Sequence, residues 1–149
     1  MDIKSFLNIY GTDTTTNFQL MKWAKDLGIS NFHYAMKDEI NNLESKTLSK
    51  TQKHKKLPIY IIANYQMSNE GGSHHVVMFK DKNESFYFDS YGIQPLKEAE
   101  DFLEDGVYSS FKIQPENTFM CGQLSLFVLY KLKNGYSFYD TILELNDYF

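Results

Sequence analysis

Cys121 is the residue of this sequence whose type and position most directly suggest chemistry. It stands immediately before Gly122 and the apolar run QLSLFVLYKL, which is typical of a buried helix. The N–H groups and the dipole at a helix N-terminus favour an anion, so a thiol there has a lowered pKa and becomes a nucleophilic thiolate. The alternative is an inert cysteine that fills the seam between helix and sheet, because free cysteines are among the most buried residue types.

A nucleophilic cysteine needs a general base, and near neutral pH the natural base is histidine. The chain has four histidines. His54 lies in a lysine-rich run and is expected to be solvated, whereas His33 lies among aromatic residues and is expected in the core. His74 and His75 stand where a Gly-Gly turn enters a predicted strand. Because side chains alternate along a strand, we expect only one of these two to face the thiol.

A third group is needed to orient the base and to stabilise its charged form, and Asp89 is the candidate. It directly follows the predicted strand SFYF, which we pair by a hairpin with the strand that His74 and His75 enter. The start of the first strand and the end of the second would then lie close together. The alternative is that Asp89 only initiates the turn at Ser90-Tyr91-Gly92.

Composition bounds the fold and excludes other classes of function. The chain has 149 residues, of which 42% are hydrophobic and 16% aromatic, which predicts one domain with a substantial core. A single cysteine excludes an intramolecular disulfide and a multi-cysteine zinc site. All 15 basic residues are lysines, which argues against bidentate arginine recognition of phosphate or guanine. No apolar run approaches the roughly 20 residues of a membrane span, so we expect a soluble, intracellular protein.

Periodicity and turn residues predict the elements that position these side chains. The first ten residues form a short helix or an extended arm, and a clearer helix follows Thr15 or Thr16 as N-cap and ends at Gly28. The segment 29–45 is ambiguous, apart from a short helix at 37–43. We predict strands at 57–63, 75–79, 85–88 and 107–113, and helices at 96–103, 122–133 and 137–145. The fold class is therefore α+β, with helices packed on a small central mixed sheet.

The segment from Glu44 to Lys56 is the most polar part of the chain. One interpretation is a solvated loop. The other is a basic patch that docks an acidic partner or makes weak nucleic acid contact. The lysines concerned are Lys46, Lys50, Lys53, Lys55 and Lys56.

Three segments, taken in order, resemble the adenovirus-type (adenain-like) cysteine proteases. They are GGSH at 71–74, YFDSYG at 87–92, and Gln114 seven residues before Cys121-Gly122. The same pattern occurs in the Ulp-type SUMO-specific proteases and in the maturation proteases of Polinton elements and virophages, to which the chain is most similar. The resemblance covers residues of about 57–145. It implies a papain-like core in permuted order, with 1–149 as one protease domain, a helical N-terminal part at 1–56 and a catalytic core at 57–149.

The resemblance also implies a role for each matched residue. Cys121 would be the nucleophile, His74 the base and Asp89 the orienting carboxylate. Gln114 would supply the side-chain amide of an oxyanion hole, with the backbone N–H of Cys121 as its partner. Members of the family usually carry Trp directly after the catalytic histidine, whereas this chain has His75. That departure keeps open an assignment in which His75 is the base.

The activity implied by the resemblance is that of a cysteine endopeptidase that cleaves after small residues, at Gly-Gly or Gly-X sites. Its substrate would be a capsid protein precursor of a virus or virus-like element. We expect a monomer in the host cytoplasm or nucleus, or packaged in the virion, with no metal or organic cofactor. Adenain uses DNA and a peptide as cofactors, but a covalent peptide cofactor would need a second cysteine. The alternatives are a deconjugating isopeptidase for SUMO- or ubiquitin-like proteins and a pseudoprotease that only binds peptide.

Overall fold

The computed structural model describes residues 1–47, 57–66, 74–109 and 111–149, with backbone only for 44–47. Within these residues, helices flank one five-stranded mixed sheet, which confirms the predicted α+β class. The helices are α1 Ile3–Tyr10, α2 Asn17–Asp26, α3 Ile40–Thr47, α4 Lys97–Leu103, α5 Cys121–Lys133 and α6 Phe138–Tyr148. The strands are β1 Phe32–Met36, β2 Ile59–Asn64, β3 His75–Lys80, β4 Ser85–Phe88 and β5 Val107–Tyr108.

The sheet has the order β1-β2-β3-β4-β5, with β3 antiparallel to both of its neighbours and the two outer pairs parallel. The predicted hairpin between β3 and β4 is present. In its turn, the side chain of Asp81 accepts from the backbone N–H groups of Asn83 and Glu84, both at 2.7 Å. Because Val77 pairs with Phe88, the start of β3 and the end of β4 lie at the same edge of the sheet.

Two apolar cores cover the two faces of the sheet. Helices α1, α2, α5 and α6 pack on the face that includes Ile62 and Val77, whereas α3 and α4 pack on the face that includes Ile61 and Met78. The predicted buried helix is α5, whose residues 121–129 are all buried. Its apolar composition on every side follows from this position between the sheet and three other helices.

The main departure from the sequence-based prediction is β1, which lies in the part expected to be helical. Its residues are mostly half-buried, so the segment lacks the strict alternation that marks a strand in sequence. It forms a strand because it pairs in parallel with β2, where Phe32 faces Tyr60 and Met36 faces Asn64. Residues 1–56 therefore contribute a strand to the same sheet as the rest of the chain.

Smaller departures concern the ends of elements. Strand β5 has two residues rather than seven, and α4 ends at Glu104 in a left-handed conformation (φ 59°) rather than at Gly106. Helix α3 continues through Thr47, so the first residues of the predicted lysine-rich loop are helical. The predicted turn at 69–73 and most of the segment from 44 to 56, including all its lysine side chains, lie outside the described residues. The basic patch therefore stays a prediction.

Candidate active site

His74 and Asp89 meet at the end of the sheet where β3 begins and β4 ends. Nε2 of His74 lies 2.8 Å from Oδ1 of Asp89, which is fully buried. The same carboxylate oxygen accepts the backbone N–H of Tyr91 at 2.8 Å, and the backbone N–H of Gly92 donates to the carbonyl of Asp89. Asp89 thus orders the turn and also contacts the histidine, and its role in catalysis stays a prediction. With Nε2 held by the carboxylate, Nδ1 is the ring nitrogen left for another partner.

Cys121 is the first residue of α5 and is buried, with 7% of its surface exposed. Its Sγ lies 3.8 Å from Nδ1 of His75. Burial alone would raise the pKa of the thiol, but hydrogen bonding to His74 and His75 lowers it to about 6. Burial alone would lower the pKa of His74, but its interactions with Asp89 and Cys121 raise it to about 9. These shifts favour a thiolate beside a charged imidazole near neutral pH.

Both histidines face the thiol, which corrects the expectation that only one could. Strand β3 begins at His75, so His74 lies outside the strand and the alternation of side chains does not apply to it. The two rings and Cys121 line a cavity of about 310 Å³. The rest of its wall comes from two loops and the turn after β4, and consists of Thr14, Thr15, Tyr91, Asn117, Thr118 and Phe119.

Gln114 is buried directly behind this wall and does not line the cavity itself. Its side-chain oxygen accepts from the hydroxyl of Ser90 at 2.6 Å, and its Nε2 donates to the carbonyl of Thr118 at 2.9 Å. One N–H of the amide is engaged in this way, and a second remains. Gln114 is thereby tied to the residue after Asp89 and to the loop before Cys121, but its part in an oxyanion hole stays a prediction.

Tyrosine rings stand around the two histidines. Those of Tyr65 and Tyr91 lie on His74, with centroids at 5.7 and 4.9 Å, and that of Tyr34 lies edge-on to His75 at 5.6 Å. Aromatic rings therefore pack against both histidines, although this chain lacks the Trp that the adenain-like proteases carry. Sequence reasoning missed these roles. Tyr91 could have been found from its place in the YFDSYG segment, whereas Tyr34 belongs to the unrecognised strand β1.

The N-terminal segment also reaches the site. A Cβ on Gly122 would collide with the side chain of Thr15, so only glycine allows this close approach. The hydroxyl of Thr15 is buried and has no hydrogen-bond partner among the described residues. Thr16, and not Thr15, is the N-cap of α2, where it forms a capping box with Gln19.

Among the remaining histidines, the structure describes only His33, which does not join the site. Nε2 of His33 lies 2.9 Å from Oδ1 of Asn31, away from the cavity, and His54 is outside the described residues. In the part of the chain that the structure describes, no group of three or more His, Cys, Asp or Glu side chains could hold a metal ion. None of the described helices is long and apolar enough to cross a membrane.

The chain was compared with known families, curated proteins and solved structures. No family model matches the sequence, and no curated protein matches it. Among solved structures, the chain is similar to the crystal structure of the Se-Met ASFV pS273R protease, with a TM-score of 0.60 and 18% identity. The match covers 93% of this chain and 67% of the other. At this identity the likeness shows that the two chains share a fold, and the chemistry has to be argued from the residues described above.

Proposed function

We propose that the chain is a cysteine endopeptidase in which Cys121 is the nucleophile, His74 the base and Asp89 the residue that orients His74. The observation that carries this proposal is the contact of one buried carboxylate with Nε2 of His74, which leaves Nδ1 for the thiol at the N-terminus of α5. A nucleophile, a base and an orienting group in this order are the common requirement of acyl-transfer enzymes that act through a covalent intermediate.

The reaction follows from the charged pair. The thiolate of Cys121 attacks the carbonyl carbon of the scissile peptide bond, and the π electrons of the carbonyl move onto its oxygen. His74 gives its Nδ1 proton to the amide nitrogen. The carbonyl then re-forms as the C–N bond breaks. The amine departs, and the acyl group stays on Cys121 as a thioester. Water then loses a proton to the neutral His74 and attacks the thioester. The C–S bond breaks, which releases the acid and restores the thiolate and imidazolium.

Two N–H groups would stabilise the oxyanion. The backbone N–H of Cys121 lies in the first turn of α5, where helix N–H groups have no partner within the helix. The second N–H of Gln114 would be the other donor, held in place by Ser90 and Thr118. Neutral donors of this kind stabilise the developing charge without competing for the proton.

The small cavity supports a substrate with small residues at the scissile bond. Cys121 is buried, and the rings of Tyr91, His74 and Phe119 line the cavity beside it, which favours small residues next to the scissile bond. A Gly-Gly or Gly-X site meets this requirement. The resemblance of the sequence to adenain-like proteases suggests that the substrate is a capsid protein precursor cleaved during particle maturation. A monomer acting in the host cell or in the virion is part of the same proposal.

The test is cleavage of peptides with Gly-Gly and Gly-Ala sites by the wild-type protein and by Cys121→Ala. We expect cleavage after glycine by the wild type, none by the variant, and a thioester adduct on Cys121 when turnover is quenched with acid. A wild-type protein that binds these peptides and leaves all of them intact would instead be the pseudoprotease. Rapid labelling by a SUMO- or ubiquitin-vinyl sulfone, with no cleavage of capsid-type peptides, would identify the deconjugating isopeptidase.

A further inference from the structure

A second series of hydrogen bonds ends on the thiol of Cys121 and takes no part in the proton transfers of the proposed reaction. Nδ1 of His75 lies 3.8 Å from Sγ of Cys121, and Nε2 of the same ring lies 2.9 Å from the hydroxyl of Tyr34. That hydroxyl in turn accepts from Nδ2 of Asn64 at 3.1 Å. Asn64 and His75 face each other across β2 and β3, and both side chains are buried, with 1% and 5% of their surface exposed.

The direction of this series follows from the backbone. The N–H of Gln66 donates to Oδ1 of Asn64 at 3.0 Å, so the other end of the amide is Nδ2, a donor that faces Tyr34. Because the oxygen of Tyr34 accepts from Asn64, its own proton is available for Nε2 of His75. An imidazole that accepts at Nε2 carries its proton at Nδ1 in the neutral form. In His75, Nδ1 is the atom that faces the thiol.

We propose that His75 is a positioning residue, a neutral imidazole whose Nδ1–H donates to the thiolate of Cys121 and whose tautomer is set by Tyr34 and Asn64. This inference rests on the proposed function of Cys121 as nucleophile. The two adjacent histidines then have different roles. His74, bound to a carboxylate, carries the charge and moves the proton, whereas His75, bound to a phenol, only donates a hydrogen bond.

The surroundings of the thiol favour this division. The titratable groups around it are His74, which is held by Asp89, Tyr91 in the turn, and His75 with Tyr34 behind it. Burial raises the pKa of Tyr34, so its hydroxyl stays protonated and can donate a hydrogen bond to the ring of His75. A donor without charge lowers the free energy of the thiolate and does not compete with His74 for the proton of the leaving group.

Substitutions of His75 separate a donor from a base and from a packing residue. Asparagine can place an amide N–H near the position of Nδ1 but cannot act as a base at neutral pH, and leucine of similar size offers no donor. We expect His75→Leu to raise the apparent pKa of the thiol by about one unit, which slows alkylation by iodoacetamide roughly fivefold at pH 6. We expect His75→Asn to keep most of the wild-type alkylation rate. Equal alkylation profiles for wild type and His75→Leu would overturn the proposal.

Tyr34→Phe tests the same series with a smaller change, in case His75→Leu does not fold. It removes the hydroxyl that sets the tautomer, so we expect slower alkylation at pH 6 in the same direction. Tyr60→Phe, in a buried tyrosine on the same face of the sheet but at the other end of β2 from Asn64, is the matched control and is expected to alkylate like the wild type. Identical profiles for Tyr34→Phe and Tyr60→Phe would contradict the role given to Tyr34.

The tautomer itself is measurable by NMR of the wild-type protein labelled with ¹⁵N-histidine, with the resonances of His75 assigned by their loss in His75→Asn. We expect the proton on Nδ1, and a proton on Nε2 would overturn the proposal. Neither the tautomer nor the alkylation profile requires turnover. A protein that gives both expected results but cleaves no peptide would therefore contradict the proposed function and leave the role of His75 intact.

Discussion

Nε2 of His74 and Oδ1 of Asp89 form a hydrogen bond of 2.8 Å that joins the residue before β3 to the residue after β4. Only the antiparallel pairing of these two strands brings their ends together, so the hairpin that folds locally also assembles the pair. The bond fixes which nitrogen of His74 is free, and that nitrogen determines what the ring can do to the thiol. The properties of Cys121 therefore depend on a contact that Cys121 does not make.

Asp89→Asn tests this dependence. The substitution keeps the shape of the side chain and removes the charge that holds the pKa of His74 at about 9. We expect the pKa of His74 to fall toward its ordinary value and kcat/KM to drop by about 10²–10⁴-fold. NMR titration of the histidine and steady-state cleavage measure the two effects. Asp101→Asn, on the exposed side of α4, is the matched control, and equal losses in both variants would show that the pair is not used.

The pH dependence of kcat/KM follows from the two pKa values. As pH falls through about 6 the thiolate of Cys121 gains a proton, and as pH rises through about 9 His74 loses the proton that the leaving amine needs. We therefore expect a bell-shaped profile with its plateau between these values. A profile that rises only above pH 8 would mean that the thiol is not activated in the free enzyme.

Gln114→Ala tests the predicted oxyanion donor. We expect kcat to fall by about 10²–10³-fold with little change in KM, because the donor acts on charge that develops only in the transition state. Ser90→Ala removes the hydrogen bond to the amide oxygen and is expected to give a smaller loss of the same kind. Gln94→Ala, at an exposed position, is the control. If Gln114→Ala retains full kcat, the oxyanion is stabilised elsewhere.

Gly122→Ala tests the close approach of the N-terminal segment to α5. The added methyl group would collide with the side chain of Thr15, so we expect a loss of about 1–3 kcal/mol in the free energy of unfolding, measured in urea. Thr15→Ala removes the colliding hydroxyl, and in the double variant we expect a large part of the stability to return. Additive losses would show that the two residues do not touch.

The parts of the site that the sequence made predictable are those held by local structure. A turn between two short strands predicts that His74 and Asp89 meet, and an apolar run after Cys121 predicts a buried helix that begins at the thiol. The pairing of β1 with β2 is not predictable in this way, because it joins Phe32 to Tyr60 across a segment without a clear pattern. Tyr34 reaches His75 only through that pairing, so sequence reasoning left out its contacts with His75 and Asn64.

The most direct test of the account is the pH dependence of alkylation of Cys121 by iodoacetamide in the native protein, followed by intact mass. Since the chain has one cysteine, every adduct reports on this thiol. We predict a midpoint at about pH 6, which moves to the ordinary thiol range of about 8.5 when the protein is unfolded in urea. A native midpoint near 8.5 would contradict the claim that His74 and its neighbours activate Cys121 as a nucleophile.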